Sequence, residues 1–164
     1  MRLFGLIGYP LSHSFSKKYF TEKFERESLT DCRYENFPIE SIEKLRDVLK
    51  QNPNLEGLNV TIPYKEQVIP YLNEMSEVVK KTGACNCIKI REGKLYGFNT
   101  DVIGIEKSIT DFISPDCKKA LILGTGGAAK AVAFVLEKLG ITSQFVSRKA
   151  LKNVYGYAEL TDSV

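Results

Sequence analysis

This 164-residue sequence has no tryptophan, a single histidine, no long apolar run and no block of like charge. No stretch approaches the roughly 20 apolar residues of a membrane-spanning helix, so no membrane span is predicted. The net charge of +3 is made of both signs spread along the chain, which does not indicate nucleic acid or a membrane surface as a partner. With 43% hydrophobic and 26% charged residues, the composition is typical of a soluble globular protein with a substantial core.

Cysteine and histidine are too few and too scattered to indicate a metal site. The four cysteines contain no C-x-x-C pair, and the one histidine, His13, is remote from them in sequence. A zinc site needs about four suitable ligands at workable spacing, so no metal is predicted. We interpret the cysteines as reduced thiols of a cytosolic protein. The N-terminal residues have no signal-peptide pattern, which also favours a cytoplasmic location.

Short apolar runs alternate with amphipathic segments along the chain, which predicts an α/β fold. Predicted strands cover residues 2–8, 34–39, 58–62, 85–90, 95–98, 120–123 and 142–147. Predicted helices cover residues 16–28, 41–50, 66–72, 76–81, 102–113 and 128–139. The segments 85–90 and 95–98 flank a turn that contains Gly93, so we expect an antiparallel hairpin in an otherwise mostly parallel sheet.

A glycine-rich turn between a predicted strand and a predicted helix is typical of a nucleotide-binding loop. It matches the pattern G-x-G-x-x-A and consists of Gly124, Thr125, Gly126, Gly127, Ala128 and Ala129. Glycines let backbone N–H groups approach a pyrophosphate closely, and the helix N-terminus adds about half a positive charge. The alternative is a glycine turn that serves only close packing of the strand against the helix.

The end of the next predicted strand indicates which dinucleotide would bind. An enzyme that uses NAD usually has an acidic residue about 20 residues after the glycines, for the ribose 2′-hydroxyl. Here the strand ends in Ser147-Arg148-Lys149, without a carboxylate. An arginine can fork onto a 2′-phosphate, so these residues favour NADP. The alternative is a pair of solvated cations at a strand end.

Four polar clusters in the first hundred residues stand where predicted strands end. Residues beyond the carboxyl ends of strands in an open α/β sheet face its ligand crevice, so these clusters are expected to converge there. Their hydroxyl, amide, ammonium and carboxylate groups suit a small polyol that bears a carboxylate. Each residue has a plainer interpretation: Ser16 and Asp101 as helix N-caps, Lys65 as a surface lysine and Asn86 as a turn residue. The clusters are residues 12–16, 59–65, 83–86 and 97–101.

The order and spacing of these clusters resemble the shikimate dehydrogenase family over the whole chain. The family patterns are G-x-P-x-x-H-S-x-S (residues 8–16), N-V-T-x-P-x-K (59–65), G-A-x-N (83–86), G-x-N-T-D-x-x-G (97–104) and the glycine loop (124–128). The resemblance implies a shikimate-binding α/β substrate domain followed by a Rossmann nucleotide-binding domain. It also implies reversible reduction of 3-dehydroshikimate to shikimate with NADPH.

The resemblance further implies a role for each matching residue. Lys65 and Asp101 would form the catalytic pair, with Lys65 exchanging a proton with the substrate oxygen. Both would also contact the substrate, together with Ser14 and Ser16 on the carboxylate and Thr61 and Asn86 on ring hydroxyls. Cofactor contacts would come from Gly124, Thr125, Gly126, Gly127, Ala128, Ser147, Arg148, Lys149 and Glu77. Apart from the resemblance, His13 is expected to orient the serine turn, and the alternative is a general-base role, because it is the only histidine.

The sequence departs from the family pattern at several positions. Lys17 and Lys18 follow Ser16 where proline is usual, Cys87 replaces a threonine, and Ser147 and Lys149 replace the asparagine and threonine of N-R-T. Family members are also longer than this chain. The expected domains are a shikimate-binding substrate domain (1–101), a connecting helix and linker (102–118), and the first part of a truncated NADP-binding Rossmann domain (119–164). A truncated sheet would expose the edge of a strand, and exposed strand edges tend to associate, so a homodimer is one expected possibility.

Three rival functions remain at this stage. The first is a quinate/shikimate dehydrogenase with relaxed cofactor use. An acidic residue near 147–149 would favour this rival, and none is present there. The second is a non-catalytic fragment that binds shikimate. The third is a structural interaction domain, which would not need polar clusters beside four strands.

Overall fold

The computed structural model describes residues 1–150 and 152–160. The chain forms two compact units. The first consists of Met1–Lys80 and Cys85–Asn99, and the second of Lys81–Ala84 and the residues from Thr100 onward. The domain limits expected from the sequence, 1–101, 102–118 and 119–164, stay predictions, and residues 161–164 of the last range lie outside the described residues.

The first unit is built on a six-stranded mixed sheet with the order β2-β1-β3-β5-β6-β4. Strand β1 pairs in parallel with both β2 and β3, and β4 pairs in parallel with β6. Strand β5 runs antiparallel to β3 and to β6, which confirms the predicted hairpin. The strands are β1 (Arg2–Gly8), β2 (Cys32–Pro38), β3 (Leu55–Val60), β4 (Glu74–Met75), β5 (Cys87–Arg91) and β6 (Lys94–Phe98).

Strand β1 lies between β2 and β3, and it is covered on both faces because its residues are apolar on both. Leu3 and Ile7 belong to the larger core, which the following helices cover. Leu6 packs on the opposite face with Tyr34 and with partly buried phenylalanines. A parallel strand covered on both faces is typically a continuous apolar run, as this segment is.

The helices of the first unit are short. They are α1 (Ser16–Arg26), α2 (Leu45–Gln51), α3 (Tyr64–Gln67) and α4 (Glu77–Thr82). The helix predicted over 41–50 begins as a 3-10 turn, and the one predicted over 66–72 is divided into α3 and a 3-10 turn at Ile69–Tyr71. Pro70 explains the division, because proline lacks the N–H that a continuous α-helix would use there.

The second unit contains the predicted βαβ arrangement. Strands β7 (Lys119–Leu123), β8 (Thr142–Ser147) and β9 (Val154–Gly156) form an all-parallel sheet in that order. Helix α6 (Gly127–Lys138) connects β7 to β8, and α5 (Asp101–Ile109) precedes them. Ile122, Leu136 and Ile141 form the centre of its core. None of the helices in the described residues is long and apolar enough to cross a membrane.

Substitution of glycine by alanine is expected to have opposite effects on stability at Gly5 and at Gly104. A Cβ at Gly5 would lie 2.6 Å from the Glu35 carbonyl oxygen and 2.4 Å from the Phe37 ring, so Gly5→Ala should lower the free energy of unfolding by about 1–3 kcal/mol. A Cβ at Gly104, inside α5, would meet no described atom within 4 Å, so Gly104→Ala should raise it by about 0.5–1 kcal/mol. Urea denaturation followed by circular dichroism measures both. A stabilising Gly5→Ala would contradict the packing described for β1.

Candidate active site

Main-chain hydrogen bonds assemble one edge of the six-stranded sheet. The Thr61 N–H donates to the Ile7 carbonyl at 3.0 Å, which joins the carboxyl ends of β3 and β1. The Val60 N–H donates to the Asn86 carbonyl at 2.9 Å, which brings the start of β5 to the same edge. Thr61 and Asn86 are therefore neighbours in space, and both are half-buried.

The direction of β5 corrects one detail of the sequence interpretation. Residues 83–86 were expected to face the crevice because they lie beyond the carboxyl end of a strand. They instead precede β5. Because β5 runs antiparallel to β3, its amino end lies at the edge where β1 and β3 end. Asn86 therefore lies at the expected edge of the sheet because it precedes a strand that runs opposite to β3.

Lys65 is held at this edge by its own main chain and by the preceding residue. It is the second residue of α3, and its carbonyl accepts a hydrogen bond from the Cys85 N–H at 2.7 Å. Tyr64 is 2% exposed, and its hydroxyl donates to the Ile39 carbonyl at 2.6 Å. The Lys65 residue itself is half-buried. A buried anchor on one side and a main-chain bond on the other fix where this short helix lies.

The two predicted carboxylate-binding serines lie in one turn. The Ser16 N–H donates to the Ser14 hydroxyl oxygen at 3.3 Å, and the Ser14 N–H donates to the Leu11 carbonyl at 3.1 Å. Helix α1 begins at Ser16, and Phe15 occupies its N-cap position, so the interpretation of Ser16 as N-cap is wrong. Both serines are half-buried, whereas His13 is exposed. The hydroxyls are thus in a position to meet a ligand.

Asp101, the predicted partner of Lys65, belongs to the second unit. It is the first residue of α5, whose N-cap position is Thr100, so the N-cap interpretation is wrong for Asp101 as well. Asp101 is half-buried. Lys65 belongs to the first unit. The pairing of Lys65 with Asp101 therefore stays a prediction.

The glycine loop of the second unit fits a pyrophosphate. Gly124 has a φ of +118°, a conformation that residues with a Cβ rarely adopt. Added Cβ atoms at Gly124 or Gly126 would meet no described atom within 4 Å, which leaves room beside the loop. Helix α6 begins at Gly127 and has 12 residues, with no acidic residue in its first turn. Its N-terminal N–H groups and dipole are suited to bind an anion.

The remaining predicted cofactor residues lie in both units. Ser147 ends β8, and Arg148 and Lys149 follow it with exposed side chains. Glu77 belongs to the first unit, where its carboxylate forms an ion pair with Lys80 at 2.6 Å. Within the described residues, no group of three or more histidine, cysteine, aspartate or glutamate side chains is arranged to hold a metal ion.

One contact at the sheet edge was not anticipated from the sequence. Asn59 belongs to the N-V-T motif but received no role, and Tyr34 was assigned only to a strand. The Tyr34 hydroxyl donates to Asn59 Oδ1 at 2.8 Å. The two residues are 25 positions apart, and only the order of β2, β1 and β3 brings them together.

Comparison with protein families identifies the first part of the chain. The family model for the shikimate dehydrogenase substrate binding domain matches residues 6–88. A shikimate dehydrogenase (NADP(+)) of Methanosphaera stadtmanae is 38% identical over 151 residues, which are 91% of this chain and 53% of that protein. The chain spans about half the length of the curated relatives it matches.

Solved structures resemble the chain along nearly its whole length. Shikimate dehydrogenase 1 from Peptoclostridium difficile has a TM-score of 0.86 and 38% identity, with 97% of this chain and 62% of that chain covered. The Thermus thermophilus shikimate 5-dehydrogenase in complex with NADP(H) and shikimate has a TM-score of 0.82 and 30% identity, with 95% and 62% covered. Both similarities extend from the six-stranded sheet into the second unit.

The two cysteines that flank Asn86 should not supply a reactive thiolate. Cys85 is fully buried, and burial raises the pKa of its thiol to about 11, against opposing hydrogen bonds from the Cys87 and Phe98 main chains. Near pH 8 only on the order of one part in a thousand of Cys85 would be thiolate. N-ethylmaleimide should therefore label Cys85 far more slowly than the half-buried Cys117. Mass spectrometry of timed digests measures both rates, and equal rates would contradict the burial of Cys85.

Proposed function

The chain belongs to the shikimate dehydrogenase family, and from this premise we propose that it contributes to the reversible NADPH-dependent reduction of 3-dehydroshikimate to shikimate. In this proposal the first unit binds the substrate and the second unit begins the NADP site. The observation that carries the proposal is the edge of the six-stranded sheet. There main-chain hydrogen bonds hold the segments that carry Thr61, Lys65 and Asn86 at the same edge, and all three residues are half-buried.

The chemistry of these side chains suits a hydroxylated ring that bears a carboxylate. The Ser14 and Ser16 hydroxyls would donate to the carboxylate, and Thr61 and Asn86 would bind ring hydroxyls. A site that hydrogen-bonds its ligand in this way discriminates strongly against analogues that lack the matching groups.

Lys65 is proposed to exchange the proton of the reaction. NADPH, when bound, supplies the hydride that reduces the ketone carbon. The ketone oxygen gains negative charge as the carbon–oxygen double bond becomes single, and the Lys65 ammonium donates the proton that makes it a hydroxyl. In the reverse direction the neutral lysine accepts that proton. Asp101 would bind a substrate hydroxyl and complete the pair.

The second unit is proposed to prefer NADP over NAD. The loop from Gly124 to Ala128 would bind the pyrophosphate, with Ser147, Arg148 and Lys149 on the 2′-phosphate. Exposed cations at the end of β8 support this assignment, since a guanidinium can meet two phosphate oxygens at once. The contact of Glu77 with the cofactor is carried over from the family resemblance alone.

Two further parts of the proposal concern the setting of the protein. A cytoplasmic location is supported by four cysteines that carry no disulfide. A homodimer is the second of these parts, and it is carried over from the sequence-based expectation alone.

Calorimetric titration of this chain with shikimate and quinate tests the substrate site. We expect saturable binding of shikimate, weaker binding of quinate, and a loss of roughly tenfold or more in shikimate affinity for Lys65→Ala, because a charged hydrogen bond is removed. The control is Lys50→Ala, which removes an exposed lysine of α2 and should leave the affinity unchanged. Binding that survives Lys65→Ala would remove Lys65 from the site, and a folded chain that binds neither ligand would refute the proposal for this chain.

Two adenosine ligands test the cofactor assignment on this half of the nucleotide site. Adenosine 2′,5′-bisphosphate carries the 2′-phosphate, and adenosine 5′-monophosphate lacks it. Arg148→Ala should weaken the first ligand by roughly 10–100-fold and the second by less than about twofold, because the guanidinium contacts only the 2′-phosphate. The control is Lys152→Ala, another exposed cation of this unit. Equal losses for the two ligands would contradict the role given to Arg148.

A further inference from the structure

The start of α1 lacks the groups that usually stabilise the N-terminus of a helix. Its N-cap position is occupied by Phe15, whose side chain carries no hydrogen-bonding group. The first turn contains no acid and has two neighbouring cations, Lys17 and Lys18. Positive charge is unfavourable there, because the helix dipole already places about half a positive charge at this end. A helix that starts at Ser16 is therefore favoured by negative charge from another element.

Glu35 of β2 supplies this charge to Lys17. The Lys17 ammonium donates a hydrogen bond to Glu35 Oε2 at 2.6 Å. The other carboxylate oxygen, Oε1, is contacted by the Arg33 guanidinium through Nε at 2.6 Å and Nη2 at 2.5 Å. The Glu35 side chain is only 20% exposed, whereas that of Lys17 is 51% exposed. Each carboxylate oxygen thus has a cationic partner, and such charge-assisted bonds are the stronger ones.

The pair of Lys17 and Glu35 belongs to a network and is not an isolated surface contact. The Lys17 hydrogen bond, against the opposing effect of burial and with help from Arg33, holds the pKa of the Glu35 carboxyl below its ordinary value. Isolated pairs of exposed charges contribute little, whereas a network around a sheltered group is stronger. The neighbouring pair of Lys18 and Glu22 shows the contrast, with its atoms 3.9 Å apart and its side chains 79% and 59% exposed. Glu35 therefore stays ionised and paired at neutral pH.

The ion pair connects the serine turn (residues 14–16) to the six-stranded sheet. Lys17 directly follows Ser16, whose N–H donates to the Ser14 hydroxyl oxygen at 3.3 Å. Glu35 belongs to β2, which pairs in parallel with β1, and β1 pairs in turn with β3. The carboxyl end of β3 leads into Thr61, at the edge that carries the candidate substrate site. The serine turn is therefore joined by a side-chain contact to the same sheet as the rest of that site.

We propose that Glu35 is a positioning residue, which holds the start of α1 through Lys17 and thereby fixes the serine turn that would bind the substrate carboxylate. This inference rests on the proposed function and deepens it, because it identifies a group outside the turn that keeps the turn in place. A ligand carboxylate gains affinity when the groups that bind it are already held in position. Glu35 contacts neither the ligand nor a reacting atom in this proposal and acts through Lys17.

Calorimetric titration with shikimate tests this role in four variants. Glu35→Gln removes the charge and keeps the size of the side chain, and we expect its affinity to fall roughly fivefold, because the start of α1 loses a charge-assisted hydrogen bond. Lys17→Met should cause a similar loss. The double variant should lose no more than either single variant, because each already breaks the same pair. Lys17→Arg keeps the pair and should stay within about twofold of the parent protein.

A neighbouring cation and a second ligand are the controls. Lys18→Met removes the same charge from the same turn without breaking the pair, and should change shikimate affinity by less than about twofold. Methyl shikimate keeps the ring hydroxyls and has an ester in place of the carboxylate, so its affinity should be nearly the same in all variants. Equal losses for the two ligands would indicate a general structural effect. A loss in Lys17→Met without one in Glu35→Gln would mean that Lys17 meets the ligand directly. Either result would overturn the positioning role.

A readout without ligand separates this inference from the proposed function. The Tyr19 N–H donates to the Phe15 carbonyl at 3.0 Å and closes the first turn of α1. Its hydrogen exchange, followed by NMR, should be roughly fivefold faster in Glu35→Gln, because the turn opens more often. The control is Glu27→Gln, which breaks an ion pair at the other end of α1 and should leave this exchange unchanged.

The two readouts fail independently. If the parent chain does not bind shikimate, the proposed function fails for this chain, while faster Tyr19 exchange in Glu35→Gln still supports the hold on α1. If Tyr19 exchange is the same in Glu35→Gln as in the parent chain, the positioning role is overturned, and shikimate binding by the parent leaves the proposed function standing.

Discussion

The candidate substrate site depends on main-chain hydrogen bonds at one edge of the six-stranded sheet. The bond from the Cys85 N–H to the Lys65 carbonyl, at 2.7 Å, connects α3 to the segment that enters β5. The bond from the Val60 N–H to the Asn86 carbonyl does the same for β3. Because backbone groups make these connections, they fix where α3, β3 and the start of β5 meet. Assembly by backbone holds the polar residues Lys65 and Asn86 at the same edge of the sheet.

Much of this arrangement follows from the sequence, and the exceptions have physical causes. A short apolar run predicted β1, an amphipathic segment predicted α6, and the motif order predicted the family. The N-cap interpretations of Ser16 and Asp101 were wrong by one position, because each is the first residue of its helix. Serine and aspartate are common both at the N-cap and in the first turn, so the sequence does not distinguish the two positions. Strands β4 and β9 have two and three residues, too few for any periodic signal. The direction of β5 and the contact from Tyr34 to Asn59 depend on strand order, which is set by packing across the whole sheet.

The second unit contains few elements, and we propose that they form half of a nucleotide site. Three parallel strands, one connecting helix and a glycine at φ +118° place an open loop at a helix N-terminus. The usual dinucleotide fold repeats such a unit and binds its ligand where the strand order reverses. The proposed preference for the 2′-phosphate, in contrast, rests on exposed side chains after β8. Lys149, which replaces the usual threonine, gives this position a charge where the family has a hydroxyl.

The stacked Phe20 and Tyr34 rings have a consequence for the spectroscopy of this protein. The sequence has no tryptophan, so tyrosine and phenylalanine account for the near-ultraviolet circular dichroism of the protein. Such a signal requires rings held rigidly in an asymmetric environment and vanishes when fixed packing is lost. The pair of rings 4.5 Å apart, with Tyr34 buried and Phe20 half-buried, meets that requirement. The near-ultraviolet signal of the unlabelled protein therefore includes a contribution from the core on the α1 face of the six-stranded sheet.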